Sequence, residues 1–119
     1  MPLIVVYNLT KDDFTEEKIE AIEKAFIWVI KGIPELELQE KDVSFSFPQD
    51  PLVTSDEVMV TIIVELLFDK PKRNFRVRQL LAQRLAVRFR SLSGNENKDV
   101  EVAVKRFNLR KDGFCLLRR

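Results

Sequence analysis

Two consecutive β-α-β patterns are the feature that most restricts what this chain can fold into. Apolar or alternating runs predict four strands, and apolar residues at helical spacing predict two helices. In chain order these elements are Pro2–Asn8, Thr15–Lys31, Val43–Phe47, Glu57–Phe68, Asn74–Leu92 and Val100–Phe107. When the sequence is aligned with itself at an offset of 57 residues, Lys41-Asp42-Val43 matches Lys98-Asp99-Val100. The same offset aligns strand 1 with strand 3 and helix 1 with helix 2. The sequence therefore predicts a duplicated β-α-β unit.

The duplication predicts an α+β fold. Because each β-α-β crossover is right-handed, the two units form one four-stranded mixed sheet with both helices on one face. We expect a single domain over residues 1–119, with repeats at about 2–48 and 57–107 and a basic C-terminal tail at 108–119. Asp13 and Glu16 predict a capping box at the first helix, and Asp112-Gly113 favours a tight turn in a short terminal hairpin.

Helices on one face leave the opposite face of the sheet bare. Strand residues that point to that face include apolar ones, and an exposed apolar sheet face is unstable in water. In a symmetric oligomer another subunit covers such a surface, so we expect an oligomer. The competing interpretation is a ferredoxin-like monomer, which has the same element order but exposes its sheet or uses it to bind a ligand.

Missing residue types exclude several kinds of site. The chain has no histidine, which excludes Ser-His-Asp and Cys-His nucleophilic mechanisms, and with one cysteine it argues against a zinc site. Cys115 has no partner for an intrachain disulfide, which favours a reducing, cytoplasmic compartment. No apolar run reaches the roughly 18 residues of a membrane span, and no signal peptide is visible at the N-terminus.

The net charge of +1 hides an uneven distribution. Residues 1–69 hold 5 basic and 15 acidic residues, whereas residues 70–119 hold 15 basic and 4 acidic ones. Such asymmetry has two interpretations. The acidic and basic halves face each other, within a chain or across subunits, or the basic half collects an anion.

The start of the chain resembles one family in particular. Pro2 heads strand 1, so loss of Met1 would leave a free proline amine at a strand end. With the duplicated β-α-β unit and a length near 120, this resembles the tautomerase superfamily, which includes 4-oxalocrotonate tautomerase, 5-carboxymethyl-2-hydroxymuconate isomerase and macrophage migration inhibitory factor. It is most similar to the isomerase branch, in which two arginines five places apart follow strand 3. Arg73 and Arg78 have that spacing here.

The resemblance implies a homotrimer with its active sites at subunit boundaries. It implies that Pro2 is a general base for keto-enol or double-bond isomerisation of a small carboxylate substrate, with no metal or organic cofactor. Arg73 and Arg78 would bind the carboxylate. The loop after strand 3 is about one residue longer here, so Lys72 could take the position of the first arginine instead of Arg73. The branch has an arginine before strand 2, where only Lys41, or Lys31 at the end of helix 1, could substitute. Retention of Met1 would make the Pro2 nitrogen a non-basic amide.

Two functions without catalysis compete with this one. A tautomerase-fold oligomer could be purely structural. Alternatively, the basic second half could bind nucleic acid or another anion, with Phe107 and Phe114 available for stacking. Against nucleic acid, 19 acidic residues offset 20 basic ones, and strand 3 carries no Gly-aromatic RNA-binding motif.

Overall fold

The computed structural model of the chain describes residues 2–53 and 58–118. The strands are β1 (Leu3–Tyr7), β2 (Ser44–Ser46), β3 (Val60–Phe68) and β4 (Val100–Phe107), and the helices are α1 (Glu16–Lys31) and α2 (Phe75–Ser91). The β-α-β-β-α-β order predicted from the sequence is confirmed. The predicted start of the third strand, Glu57, lies outside the described residues.

The four strands form one mixed sheet in the order β2-β1-β3-β4. β1 pairs in parallel with β2 and antiparallel with β3, and β3 pairs in parallel with β4. Each β-α-β unit therefore contributes two adjacent parallel strands. In the split β-α-β unit of the ferredoxin-like layout another strand lies between them, so that alternative is excluded and the predicted fold class is confirmed.

A single apolar core lies between the helices and one face of the sheet. Most of the largest fully buried side chains come from both helices and both central strands: Ile4, Val6, Phe26, Val29, Ile62, Leu67, Leu81, Leu85 and Phe89. Burial of this apolar surface is the main favourable term in folding. Both helices thus cover the same face, as predicted. In the part of the chain that the structure describes, neither helix is long and apolar enough to span a membrane.

The N-cap of helix α1 is Thr15, not Asp13 of the predicted capping box. The Lys18 N–H donates to Thr15 Oγ1 over 3.1 Å, which satisfies one of the free N–H groups of the first turn. The capping-box prediction is wrong because the Asp13 carboxylate is engaged elsewhere.

Asp13 forms a buried ion pair that joins the two repeats. Its carboxylate accepts hydrogen bonds from the Thr10 N–H and hydroxyl over 2.9 and 2.8 Å, and its Oδ2 lies 2.6 Å from Lys98 Nζ. Burial raises the pKa of Asp13, but the hydrogen bonds from Lys98 and Thr10 outweigh burial and hold it below its usual value. Asp13 and Lys98 are both buried, so the attraction between them offsets part of the cost of burying the two charges.

The face of the sheet opposite the helices carries an apolar strip of β1, β3 and β4 residues. Strand pairing aligns Val5, Ile63 and Ala103 across these three strands, and Leu3 and Tyr7 flank Val5 on β1. We call these five residues the bare face, in which Ala103 is exposed, Leu3, Tyr7 and Ile63 are half-buried and Val5 is only 4% exposed. Polar pairs border it, with Thr61 Oγ1 donating to Glu101 over 2.8 Å and Lys105 lying 3.7 Å from Glu65.

Strand β3 contains a bulge close to its C-terminal end. Val64 pairs with Val104 and Leu67 with Arg106, so two β3 residues lie opposite one residue of β4. Leu66, in the bulge, has a φ of 56°, a left-handed conformation that is unfavourable for leucine. A bulge of this kind bends the strand and increases its local twist.

The C-terminal tail does not form the predicted hairpin. Its turn closes at Asn108–Asp112, because the Asn108 N–H donates to the Asp112 carboxylate over 2.9 Å and the Asp112 N–H donates to the Asn108 carbonyl over 2.8 Å. No strand follows in residues 108–118. Instead the Phe114 ring packs edge-on against Phe68 and Phe107, with centroids 5.3 and 5.9 Å apart.

Candidate functional site

The start of β1 and the end of β3 meet at a cavity of about 210 Å³. Antiparallel pairing of the two strands brings these ends together. Pro2 is buried there, and its carbonyl accepts a hydrogen bond from the Ser44 N–H over 3.1 Å. The residues that line the cavity are Pro2, Glu37, Leu38, Asp42, Phe68, Lys70 and Arg73. This Pro2 cavity therefore combines an apolar floor with charges of both signs.

Arg73 connects, by hydrogen bonds, two segments that form the walls of the cavity. Its guanidinium donates from Nε and Nη2 to the Leu36 carbonyl over 2.9 and 2.6 Å, and from Nη1 to the Phe68 carbonyl over 2.8 Å. Burial lowers the pKa of Arg73, and the nearby Glu37 and Asp42 carboxylates act in the opposite direction. Because a guanidinium has five N–H donors, three bonds leave two that could bind a ligand.

Two carboxylates stand beside Arg73, each with a partner. Glu37 has a φ of 54° and lies 3.4 Å from Lys72 Nζ. Asp42 accepts a hydrogen bond from the Gln39 N–H over 2.9 Å. A non-glycine residue held in the left-handed region stores backbone strain, which is common at functional sites. The strained Glu37 marks this wall of the cavity as one that packing must hold in place.

Lys70 supplies the cavity with an exposed ammonium group. Within residues 2–53 and 58–118 no hydrogen bond or ion pair to this side chain is found. An unpaired cation beside an apolar floor attracts a carboxylate or a developing enolate. Lys70 is therefore the cation of this cavity with the most donors free for a ligand.

The structure brings together some of the residues that the sequence indicated. Pro2 and Arg73 share the cavity. Arg78 lies behind it and donates to the Arg73 carbonyl over 2.6 Å. Lys72 is engaged with Glu37, and Lys31, on the last turn of α1, lies 3.6 Å from Glu40. These last three side chains do not line the cavity within one chain.

Sequence reasoning missed Glu37, Asp42 and Lys70. Lys70 follows the predicted end of strand 3, so antiparallel pairing of strands 1 and 3 would have placed it near Pro2. No comparable signal exists for Glu37 and Asp42, because two single turns of 3-10 helix, Pro34–Leu36 and Glu40–Asp42, bring them to the cavity. These turns lie in a segment without hydrophobic periodicity.

No cluster of three or more metal-ligating side chains occurs in the described ranges 2–53 and 58–118. The Pro2 cavity offers two carboxylates, which are already engaged with main-chain and lysine donors. Beside them the cavity holds two cations, Lys70 and Arg73, and the apolar side chains of Leu38 and Phe68.

The fold occurs in solved structures of tautomerase-superfamily proteins. A fused 4-OT, R7, solved as a wild-type asymmetric trimer, is 13% identical over 94% of this chain and 91% of its own, with a TM-score of 0.66. N1, a member of the cis-3-chloroacrylic acid dehalogenase family, is 14% identical over 89% of this chain and 75% of its own, with a TM-score of 0.64.

A protein of unknown function from Vibrio cholerae has the same fold, with 11% identity, a TM-score of 0.62 and coverage of 95% of this chain and 83% of its own. No protein-family model and no curated protein matches the sequence. The structural likeness confirms the resemblance to the tautomerase superfamily at the level of the fold.

Proposed function

We propose that this tautomerase-fold protein is a cofactor-independent isomerase whose base is the Pro2 amine, exposed by removal of Met1. Its substrate is a small carboxylate-bearing keto or enol compound, in which the amine moves a proton between two positions. The observation that carries the proposal is that Pro2, buried at the head of β1, shares a cavity with two cations.

The surroundings of Pro2 favour a neutral amine. Burial disfavours the protonated form, and the positive charges of Lys70 and Arg73 act in the same direction. The carboxylates of Glu37 and Asp42 oppose them, but each is engaged by another donor. A neutral amine near physiological pH can take up and return a proton, an effect worth about 10²–10⁴-fold in rate.

The two cations of the cavity, Lys70 and Arg73, have different roles toward the substrate. The Lys70 ammonium binds the substrate carboxylate, and the two remaining Arg73 donors face the oxygen on which enolate charge develops. Arg78 acts on the site by holding the Arg73 main chain. Lys72 and Lys31 serve the site through their ion pairs with Glu37 and Glu40, on the segment that carries Asp42.

The same proposal includes a homotrimer. The bare face still exposes part of its apolar surface, which a neighbouring subunit would cover, and the fused 4-OT is a trimer in its solved structure. A neighbouring subunit would then close the open side of the cavity. It would also separate the substrate from water, which strengthens the electrostatic interactions inside.

Ketonisation of phenylenolpyruvate tests the catalytic role. We expect the protein without Met1 to accelerate the reaction, and Pro2→Ala, which exchanges the rigid secondary amine for a primary one, to lower the rate. Loss of the base in the form that retains Met1 should lower the rate by at least about 100-fold. Lys70→Met should mainly raise KM, because it removes carboxylate binding. Intact mass spectrometry of each sample establishes whether Met1 is absent.

The control is the same protein with Met1 retained, whose Pro2 nitrogen is an amide. Equal rates for the processed protein, the Met1-retaining form and Pro2→Ala would remove Pro2 from its role. They would leave a non-catalytic tautomerase-fold protein as the conclusion. Retention on a nucleic-acid column that falls with salt would instead support the anion-binding alternative.

A further inference from the structure

A second concave site, separate from the Pro2 cavity, lies on the outer surface between the two helices. It is a groove of about 580 Å³ between the C-terminal half of α1 and the C-terminal half of α2. Its lining includes Trp28, Val29, Arg84, Val87 and Arg88. This volume falls within the roughly 300–1,000 Å³ typical of small-molecule sites. We call it the helix groove.

The walls of the helix groove are apolar and unusually exposed. The side chains of Trp28 and Val87 are 65% and 70% exposed, although both residue types favour burial. Arg88 lies with its guanidinium carbon 4.6 Å from the centroid of the Trp28 ring, a cation–π contact that fixes the indole in the wall. A large aromatic surface held open in this way is available for contact with a flat or apolar ligand.

The groove also carries positive charge, which helix α2 contributes. Helix α2 contains five arginines and no acidic residue. Within residues 2–53 and 58–118, none of these arginines forms an ion pair with a carboxylate. Arg84 gives one hydrogen bond to the Gly32 carbonyl at 3.3 Å, and the buried Nε of Arg88 has no acceptor in the described chain.

From these contacts we infer that the helix groove binds a small amphipathic acid, with its apolar or aromatic body against Trp28 and Val87 and its carboxylate on Arg84 and Arg88. Planar guanidinium groups match a carboxylate with paired hydrogen bonds. The adjacent apolar wall lowers the local dielectric and strengthens that attraction. The site is independent of Pro2 and of any catalysis there.

Trp28 is the single tryptophan of the chain, so its fluorescence reports directly on the groove. The test titrates 4-phenylbutyrate, and its neutral analogue 4-phenylbutanamide, into the full-length protein. We expect a saturable change in Trp28 emission with the acid, and an affinity for the amide at least about tenfold weaker, the effect of losing a charge-assisted contact.

Two variants and a matched control separate the groove from the rest of the basic surface. The double variant Arg84→Gln/Arg88→Gln should bind acid and amide alike, and Val87→Asp should weaken the acid by at least about tenfold through charge repulsion. Arg76→Gln, on the same helix but outside the groove lining, should behave as wild type. Circular dichroism verifies that each variant is folded.

Three results would overturn the inference. The first is an absence of saturable emission change with 4-phenylbutyrate. The second is equal affinity of wild type for acid and amide. The third is an equal loss of acid binding in Arg76→Gln and in the groove variants, which would mean that the basic surface attracts anions without a defined site.

Discussion

Arg73 shows how a residue expected to bind substrate also holds the fold. Three of its donors go to main-chain carbonyls of two separate segments, and the side chain is only 4% exposed. A buried carbonyl that loses its donor costs roughly 1–3 kcal/mol. The residue therefore couples the stability of the cavity wall to the charge inside the cavity.

We expect Arg73→Met to lower the free energy of unfolding by about 3 kcal/mol, because the Leu36 and Phe68 carbonyls lose their donors. Urea denaturation measures the change. Arg76→Met, at an exposed position in the first turn of α2, should stay within about 0.5 kcal/mol of wild type. Comparable losses in both variants would contradict the fastening role of Arg73.

The Asp13–Lys98 pair predicts a defined pH dependence. The folded-state pKa of Asp13 lies below its unfolded-state value of about 3.9. Its ionised form therefore stabilises the fold above about pH 4, and this contribution is lost as the pH falls through the folded-state pKa. Asp13→Asn should cost about 3 kcal/mol at pH 7, since it removes the carboxylate charge that lies 2.6 Å from the buried Lys98 ammonium.

Urea denaturation at pH 7 and pH 3 should show the difference between wild type and Asp13→Asn shrinking at the lower pH. The neighbouring Asp12 is exposed, so Asp12→Asn serves as the control and should differ little from wild type at both values. A constant difference for Asp13→Asn across this range would argue against a titrating ion pair.

At the scale of the elements, the β3 bulge separates two adjacent leucines with opposite roles. Leu66 is 38% exposed in a left-handed conformation, whereas Leu67 is 1% exposed in the core. Leu66→Gly should change stability by less than about 1 kcal/mol, because relief of strain offsets the lost apolar contact. Leu67→Ala should cost about 2–5 kcal/mol. Thermal unfolding of the two variants checks the contrast.

The elements were predictable from the sequence because their signals are local. The apolar stripes of α1 and α2 and the alternation of Val43, Phe45 and Phe47 each appear within one segment, and all three of these residues pack against the core. The duplicated unit then determined the sheet. The positions of Asp13 and Phe114 were not predictable, because each depends on a partner distant in the sequence.

The candidate site was predictable only in part, for the same reason. Pro2 and Arg73 carry a signal in their positions relative to strands. The Arg73 guanidinium donates to the carbonyls of residues that lie 37 and 5 positions away in the sequence. Every residue type has a main-chain carbonyl, so residue types do not indicate which carbonyls accept these bonds. The structural role of Arg73 could therefore not be predicted from the sequence.

For the whole molecule, the bare face sets the expected assembly. Val5 and Ile63 lie at its centre with Ala103 beside them. We expect Ile63→Glu to convert the proposed trimer to a monomer in analytical ultracentrifugation, because a charge would be buried at the subunit contact. Val87→Glu, an equally drastic change on the helix side, should leave the trimer intact. A wild-type monomer would remove the assembly from the proposal.

The central position of β1 has a consequence for how the protein comes into being. β1 is made first, yet one of its neighbours, β3, pairs with it through residues 61–65. During synthesis the edge of β1 that later pairs with β3 therefore stays unpaired until β3 has been made. Unpaired apolar strand edges are prone to wrong pairing. Pairing across so long a chain segment is slow to form. The head of β1, where Pro2 lies, acquires its surroundings only after the ribosome has released Arg73.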